Sequence, residues 1–273
     1  EMLGEMGMST MDELFANIPE DVRRTDSLPL PEPQSEEQIL EDATRLLGAN
    51  VHLDSMPSFI SAGLARNFVP TMVPMLATRG EFLTSYTPYQ PEVSQGMLQA
   101  MWEFQTMVSE LVGLPISNVS MYDASTSAAE AITCAVRVKS KKASQPSCVY
   151  VSDLIPPHRL SVIYNYTQGV GIEIHTLPHT SDGTLDLGAA TSAAGSCAVY
   201  VEQPNSLGLL DEGLMGLREA IGQSTALIVG VDAVSLGVIK PPGSWGADIV
   251  VGEGQPFGLG PTAGGPTSGV FAC

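Results

Sequence analysis

The second half of this 273-residue sequence predicts an α/β fold: a mostly parallel sheet with helices on both faces. Short apolar runs are typical of buried strands at residues 148–151, 171–174, 198–201, 226–231 and 247–251. Helical patterns lie between several of these runs, at residues 157–166, 185–194 and 211–221. Strands that alternate with helices in this way favour a parallel sheet, because each helix carries the chain back to the same edge.

The first part of the chain predicts a different organisation, and we expect a helical arm over residues 1–80 and the sheet domain over residues 81–273. A capping box at Ser35 and Gln38 precedes an apolar stripe and predicts a helix that ends at Gly48. A shorter helix is predicted over residues 69–78. A longer one over residues 92–111 is predicted to be largely buried, because its apolar residues recur at helical spacing.

The two ends of the sequence indicate a piece of a longer protein. The chain begins at Glu1 without an initiator methionine, and it stops inside an apolar run, residues 269–273, that predicts one more strand. We therefore expect a C-terminal domain to be missing.

The composition excludes several classes of function. A net charge of −18 argues against binding to nucleic acid or to an anionic membrane surface. The four cysteines are scattered without C-x-x-C spacing, which favours free thiols in a reducing cytoplasm. No uninterrupted apolar run reaches the length that spans a membrane. His175 and His179 do not predict a metal site, because Pro178 prevents the helix that would align them.

Two stretches of the sheet domain are candidates for ligand binding. Ligands of parallel sheets bind at the carboxyl ends of the strands, where Asp232 closes a strongly apolar run. The alternative is an acid that only caps a turn. Ser125 and Thr126 stand at the start of a helical pattern, where hydroxyl groups and free N–H groups form an anion site. The alternative there is a helix cap without a ligand.

A third candidate is the loop that leads into the long helix. Pro88 and Pro91 restrict the backbone of the segment that carries the residues Tyr86, Thr87, Tyr89 and Gln90. A stiff segment with aromatic and amide groups suits a binding surface, because little entropy remains to be lost on binding. The alternative is an ordinary helix-entry loop with two packed tyrosines.

Longer runs of the sequence carry a resemblance to a known family. They are YTPYQPEVSQG from residue 86, EFQTMVSELVGLP from 103, SMYDASTSAAEA from 120, KPPGSWGADIVVGEGQPFGLG from 240 and GGPTSG from 264. In this order they resemble subunit 1 of the decarboxylating glycine dehydrogenases. These are the P-proteins of the glycine cleavage system in their two-subunit form.

The resemblance implies the large domain of a fold-type I enzyme that uses pyridoxal phosphate. It implies decarboxylation of glycine and transfer of the aminomethyl group to the lipoyl arm of the H-protein. In such a site the aspartate at the strand end pairs with the pyridine nitrogen, and the loop at Ser125 and Thr126 holds the phosphate. Tyr86, Thr87, Tyr89 and Gln90 are then expected to line the cleft that faces the cofactor of a partner subunit.

The lysine that would bind the cofactor is missing from its expected place. Aligning residues 248–256 with the family's catalytic subunit puts Gln255 at a histidine and Pro256 at the lysine. The lysines of this chain are at other positions: Lys139, Lys141, Lys142 and Lys240. The resemblance therefore implies a cytoplasmic hetero-oligomer in which subunit 2 carries the lysine and the cofactor. Ser125, Thr126, Asp232 and Gln255 would be vestigial cofactor contacts.

Two alternatives remain open at this stage. One is a self-sufficient fold-type I enzyme, a decarboxylase or a desulfurase, that uses one of the unplaced lysines. The other is a catalytically inert scaffold subunit.

Overall fold

The computed structural model describes residues 1–52, 55–57, 59, 64, 66–83, 86–139, 147–261 and 267–273. Contacts within the chain separate two compact units, residues 1–59 and residues 60–273. Within the described ranges, we find no helix that is both long and apolar enough to cross a membrane.

The described residues of the first unit form two α-helices, α1 (Met2–Glu5) and α2 (Glu36–Leu47). The predicted capping box is present at the start of α2. The Gln38 N–H donates to the Ser35 hydroxyl oxygen at 3.3 Å, and the Ser35 N–H donates to the Gln38 amide oxygen at 2.9 Å. Helix α2 ends at Gly48, as its sequence pattern predicts. A turn of 3₁₀ helix, Met11–Phe15, lies between the two helices.

The second unit contains the sheet and the remaining helices. Its strands are β1 (Ser147–Ser152), β2 (Ile172–Leu177), β3 (Ala198–Gln203), β4 (Ala226–Asp232), β5 (Ile249–Glu253) and β6 (Gly269–Ala272). Its helices are α3 (Met72–Ala77), α4 (Gly80–Leu83), α5 (Gln95–Val112), α6 (Ala124–Lys139), α7 (Pro157–Gln168), α8 (Leu187–Ala190) and α9 (Leu217–Ile221).

The sheet confirms the predicted architecture. The strand order is β2-β1-β3-β4-β5-β6, and every pair is parallel except β5 with β6. The predicted strand at the end of the sequence is this antiparallel edge strand, β6. Since β1 to β5 run in one direction, their carboxyl ends share one edge of the sheet.

Both faces of the sheet are covered by helices. Neighbouring residues of a strand point to opposite sides, so each buried strand contributes side chains to both packed layers. On β3, Val199 and Val201 face a cluster formed with α5, α8 and α9, whereas Ala198 and Tyr200 face a cluster formed with α6 and α7. The sheet is therefore packed between two layers of helices.

Three sequence predictions about helices need correction. Only Val108 and Val112 of α5 are buried, because only its last turns pack on the sheet within this chain, and Trp102 is 70 % exposed. The helix predicted over residues 211–221 is α9 preceded by a 3₁₀ segment, Glu212–Gly216, in which Gly213 and Gly216 weaken a continuous α-helix.

The helix predicted over residues 185–194 is likewise shorter. It is α8 followed by a 3₁₀ segment, Thr191–Ala193.

Candidate functional site

A cavity of about 170 Å³ lies at the carboxyl ends of β3, β4 and β5. The lining includes one cation, three acids, an amide and a proline: Arg159, Glu202, Asp232, Glu253, Gln255 and Pro256. Asp232, Gln255 and Pro256 are candidates from the sequence, and all three line this cavity. The sequence indicated no specific role for Arg159, Glu202 or Glu253.

The innermost part of the site is a buried hydrogen-bonded triad. The Glu202 side chain, 7 % exposed, accepts two bonds on Oε1: one from Arg159 Nη1 at 2.5 Å and one from the Tyr200 hydroxyl at 2.7 Å. Arg159 comes from the first turns of α7, while Tyr200 and Glu202 lie two residues apart on β3. A charge-assisted pair of this kind is stronger than a hydrogen bond between neutral groups, and its low exposure strengthens it further.

The triad shifts the ionisation of its members. Burial alone would lower the pKa of the Arg159 guanidinium, but Tyr200 and Glu202 together raise that pKa above its ordinary value. Burial raises the pKa of the Tyr200 phenol well above its usual range, and Glu202 raises it further. Tyr200 therefore remains a neutral donor and Arg159 a fixed cation.

One glycine in the sequence marks the position where the triad packs closely against the neighbouring strand. Gly230 lies in the middle of β4, and a Cβ there would stand 2.6 Å from the Tyr200 hydroxyl oxygen and 2.9 Å from Glu202 Cγ. A glycine inside an otherwise apolar strand often marks such a close approach. The identity of the approaching side chains became visible only with the strand register.

The start of α6 is capped from within the chain. The Thr126 N–H donates to Asp123 Oδ1 at 2.7 Å, and the Thr126 hydroxyl bonds to the same oxygen at 2.7 Å. The Ser127 hydroxyl donates to the Asp123 carbonyl oxygen, and Ser125 is buried. The contacts of Thr126 are therefore those of a helix cap, which is the alternative to an anion site that the sequence left open.

Glu253 supplies a second carboxylate to the same helix start. Its Oε2 accepts the Ala124 N–H at 3.1 Å, and its Oε1 accepts the N–H groups of Gln255 at 3.1 Å and Ser268 at 3.4 Å. Burial raises the pKa of the Glu253 carboxyl although the three N–H groups oppose this, and the Asp123 charge adds to the rise.

Gln255 and Pro256 lie just beyond Glu253, at the carboxyl end of β5. Gln255 is 1 % exposed, donates to the Leu259 carbonyl oxygen at 2.6 Å and accepts from Asn67 at 3.4 Å. Among the described residues, none that lines the cavity is a lysine. Lys139 stands at the far end of α6, roughly 22 Å from its start. Lys240 is exposed, and Lys141 and Lys142 lie outside the described residues.

Asp232 has a local partner as well as a place at the cavity. Its Oδ1 accepts the Val234 N–H at 2.9 Å, which is the turn-capping contact weighed as an alternative from sequence. Its side chain remains exposed at the strand end and lines the cavity.

The loop before α5 presents its aromatic residues outward. Tyr86 and Tyr89 are 102 % and 87 % exposed, and Thr87 and Gln90 are also exposed. None of the four lines the cavity at the strand ends. The alternative of two packed tyrosines is wrong for this chain, while a role opposite a partner's cofactor stays a prediction.

The described residues hold no group of three or more metal-ligating side chains. His179 Nδ1 bonds instead to Asp153 Oδ2 at 2.8 Å, at the ends of β1 and β2. The sequence prediction that His175 and His179 form no metal pair stays a prediction.

The sheet and the helices that cover it have the architecture of the fold-type I pyridoxal-phosphate enzymes. A family profile described as glycine cleavage system P-protein matches residues 1–273. The chain therefore belongs to the glycine cleavage system P-protein family.

Individual relatives agree with this membership. The chain is 44 % identical over its whole length to a Pyrococcus abyssi protein named "probable glycine dehydrogenase (decarboxylating) subunit 1", of which it covers 60 %. It is 41 % identical to a Brevibacillus brevis protein of the same name, again with 100 % and 60 % coverage. The chain thus spans about three fifths of the length of these curated relatives.

Solved structures give the same result. A crystal structure of glycine decarboxylase (P-protein) of the glycine cleavage system, in inhibitor-bound form, matches 99 % of this chain with a TM-score of 0.87 and 41 % identity. The match covers 60 % of that structure's chain. A sphingosine-1-phosphate lyase of Burkholderia pseudomallei, 12 % identical, shares only the fold, with a TM-score of 0.63 over 90 % of this chain and 61 % of its own.

The residues at the strand ends do not fit pyridoxal phosphate. The helix start already holds two carboxylates, Asp123 and Glu253, where a phosphate would need free N–H groups and positive potential. Pro256 has no side-chain amine that could bind the aldehyde, and no described residue that lines the cavity is a lysine.

Proposed function

We propose that this chain is the non-lysine subunit of a glycine decarboxylase, the P-protein of the glycine cleavage system. The observation that carries the proposal is the sequence Gln255–Pro256 at the carboxyl end of β5, where a fold-type I enzyme requires its lysine. The chain keeps the architecture of the cofactor domain but places a proline at the reacting position. Catalysis then needs a second subunit that carries the lysine and the pyridoxal phosphate.

The partner subunit completes the active site in this proposal. Tyr86, Thr87, Tyr89 and Gln90 are exposed on a proline-stiffened loop, and they line the cleft that faces the partner's cofactor. The assembled cytoplasmic enzyme decarboxylates glycine and passes the aminomethyl group to the lipoyl group of the H-protein. Ser125, Thr126, Asp232 and Gln255 occupy the positions of former cofactor contacts. The helical arm, residues 1–80, precedes the transferase-like domain, residues 81–273.

A labelling experiment tests the proposal directly. The full-length chain, purified without its partner, is mixed with pyridoxal phosphate, reduced with borohydride and mapped by peptide mass spectrometry. We expect weak, scattered modification of exposed amines and no stoichiometric label at any single lysine, because no amine stands at Pro256. The lysine-bearing partner, treated in the same way, is the positive control.

Full labelling of Lys240 would instead show a self-sufficient site and would overturn the proposal. The variant Pro256→Lys is a second arm of the same experiment. We expect it not to restore decarboxylation in the isolated chain, because Gln255 and the helix start lack the groups that would orient the amine and the phosphate.

The loop provides a separate prediction for the assembled enzyme. Tyr89→Phe should lower glycine–bicarbonate exchange several-fold, since the loss of one hydroxyl hydrogen bond in a site costs on the order of 1 kcal/mol. Tyr164→Phe, an exposed tyrosine of α7, serves as the matched control and should keep full exchange. Equal activity of both variants and wild type would remove the loop from the active site.

A further inference from the structure

Glu253 stands where the start of α6 would otherwise meet a ligand anion. It is the last residue of β5, yet its side chain reaches the Ala124 N–H at the beginning of the 16-residue helix α6. Its other oxygen accepts the N–H groups of Gln255 and Ser268. Backbone N–H groups from a helix start and two neighbouring loops therefore converge on one carboxylate. Glu253 is the acceptor in all three hydrogen bonds.

The surrounding backbone fits tightly around this carboxylate. The Gly254 N–H donates to the Ser268 carbonyl oxygen, and a Cβ at residue 254 would lie 2.8 Å from that oxygen. A Cβ on Gly269 would overlap Ser127 Oγ and the Asp123 carbonyl oxygen. The ends of β5 and β6 are thus held against the first turn of α6, and the N–H groups of Ala124, Gln255 and Ser268 are already bonded to Glu253.

We infer that the Glu253 carboxylate takes the place of a ligand phosphate. The carboxylate fills the anion site at the start of α6 and excludes phosphorylated ligands from that site. The inference rests on the proposed function and adds the residue that closes the site. The absence of a lysine prevents a covalent link but not the binding of a phosphate. Glu253 prevents the binding itself, by occupying the space and by presenting like charge next to Asp123.

The side chain that fills the site can be removed to test this inference. Glu253→Ala takes away a volume close to that of a phosphate ion and leaves three N–H groups without an acceptor. Thermal unfolding of the full-length chain is measured with increasing inorganic phosphate at constant ionic strength. We expect the melting temperature of this variant to rise by several degrees with saturable dependence on phosphate, because phosphate binds only the folded form.

Three comparisons make the result specific. Wild type should show no such rise, and neither should Glu219→Ala, which removes an exposed carboxylate on α9. Glu253→Gln removes the charge but keeps the space filled, so it too should show no rise. Glu253→Ser provides the same opening with a hydroxyl for the N–H groups, and it replaces the alanine variant if that variant does not fold.

Phosphate binding by wild type, or no phosphate-dependent gain in either shortened variant, would overturn the inference. Phosphate binding by Glu253→Gln would also overturn it, since occupancy would then not be the cause. None of these results touches the proposed function, which is decided by the borohydride labelling of wild type. Stoichiometric labelling there with no phosphate effect in the variants would reject both.

Discussion

Replacing Arg159 by methionine is expected to lower the free energy of unfolding by about 3–5 kcal/mol, the cost of removing one partner from a buried ion pair. The guanidinium is 12 % exposed and bonds to Glu202, which is 7 % exposed. Methionine fills much of the same space, but it leaves the Glu202 carboxylate buried with only the Tyr200 hydroxyl as a donor. Chemical denaturation of the full-length chain measures the loss.

A double variant separates the charge effect from packing. Arg159→Met combined with Glu202→Gln leaves no charge unpaired, and the glutamine oxygen can still accept the Tyr200 hydroxyl. We expect it to recover a large part of the stability lost in the single variant. Arg137→Met, which removes an exposed arginine of α6, should stay within about 0.5 kcal/mol of wild type. If the Arg159 and Arg137 variants unfold at the same denaturant concentration, the triad does not stabilise the fold.

The sheet was predictable because each buried strand leaves its own local signal. The apolar run at residues 226–231 became β4, Ala226–Asp232, and the run at residues 198–201 became β3, Ala198–Gln203. Neither pattern depends on the rest of the chain, since strands buried on both faces read as continuous apolar residues. The strand order was less accessible, because β2 lies outside β1 and this placement depends on crossovers rather than on any one segment.

The sequence could predict only those site residues that directly follow a strand. Asp232 and Gln255 follow strands, so the rule for parallel sheets places them at the carboxyl edge. Arg159 and Glu202 are 43 residues apart and meet only because the fold brings the start of α7 to the carboxyl end of β3. Likewise, Glu253 reads in sequence as a strand-end acid, and its contact with the Ala124 N–H requires the fold.

The stability of this unit should also depend strongly on the packing of α6 against the sheet. Ile132 lies near the middle of α6, is fully buried and packs in the cluster shared with β1, β3, β4 and β5. Ile132→Ala is expected to cost about 2–5 kcal/mol, because it leaves a cavity between two rigid layers that cannot close around it. Val138→Ala is the matched control on the same helix, since Val138 is 74 % exposed and its loss should change stability by less than about 0.5 kcal/mol. Denaturant midpoints of both variants check the difference. Comparable midpoints would mean that α6 is not held by this cluster and that the helix start facing Glu253 is free to move.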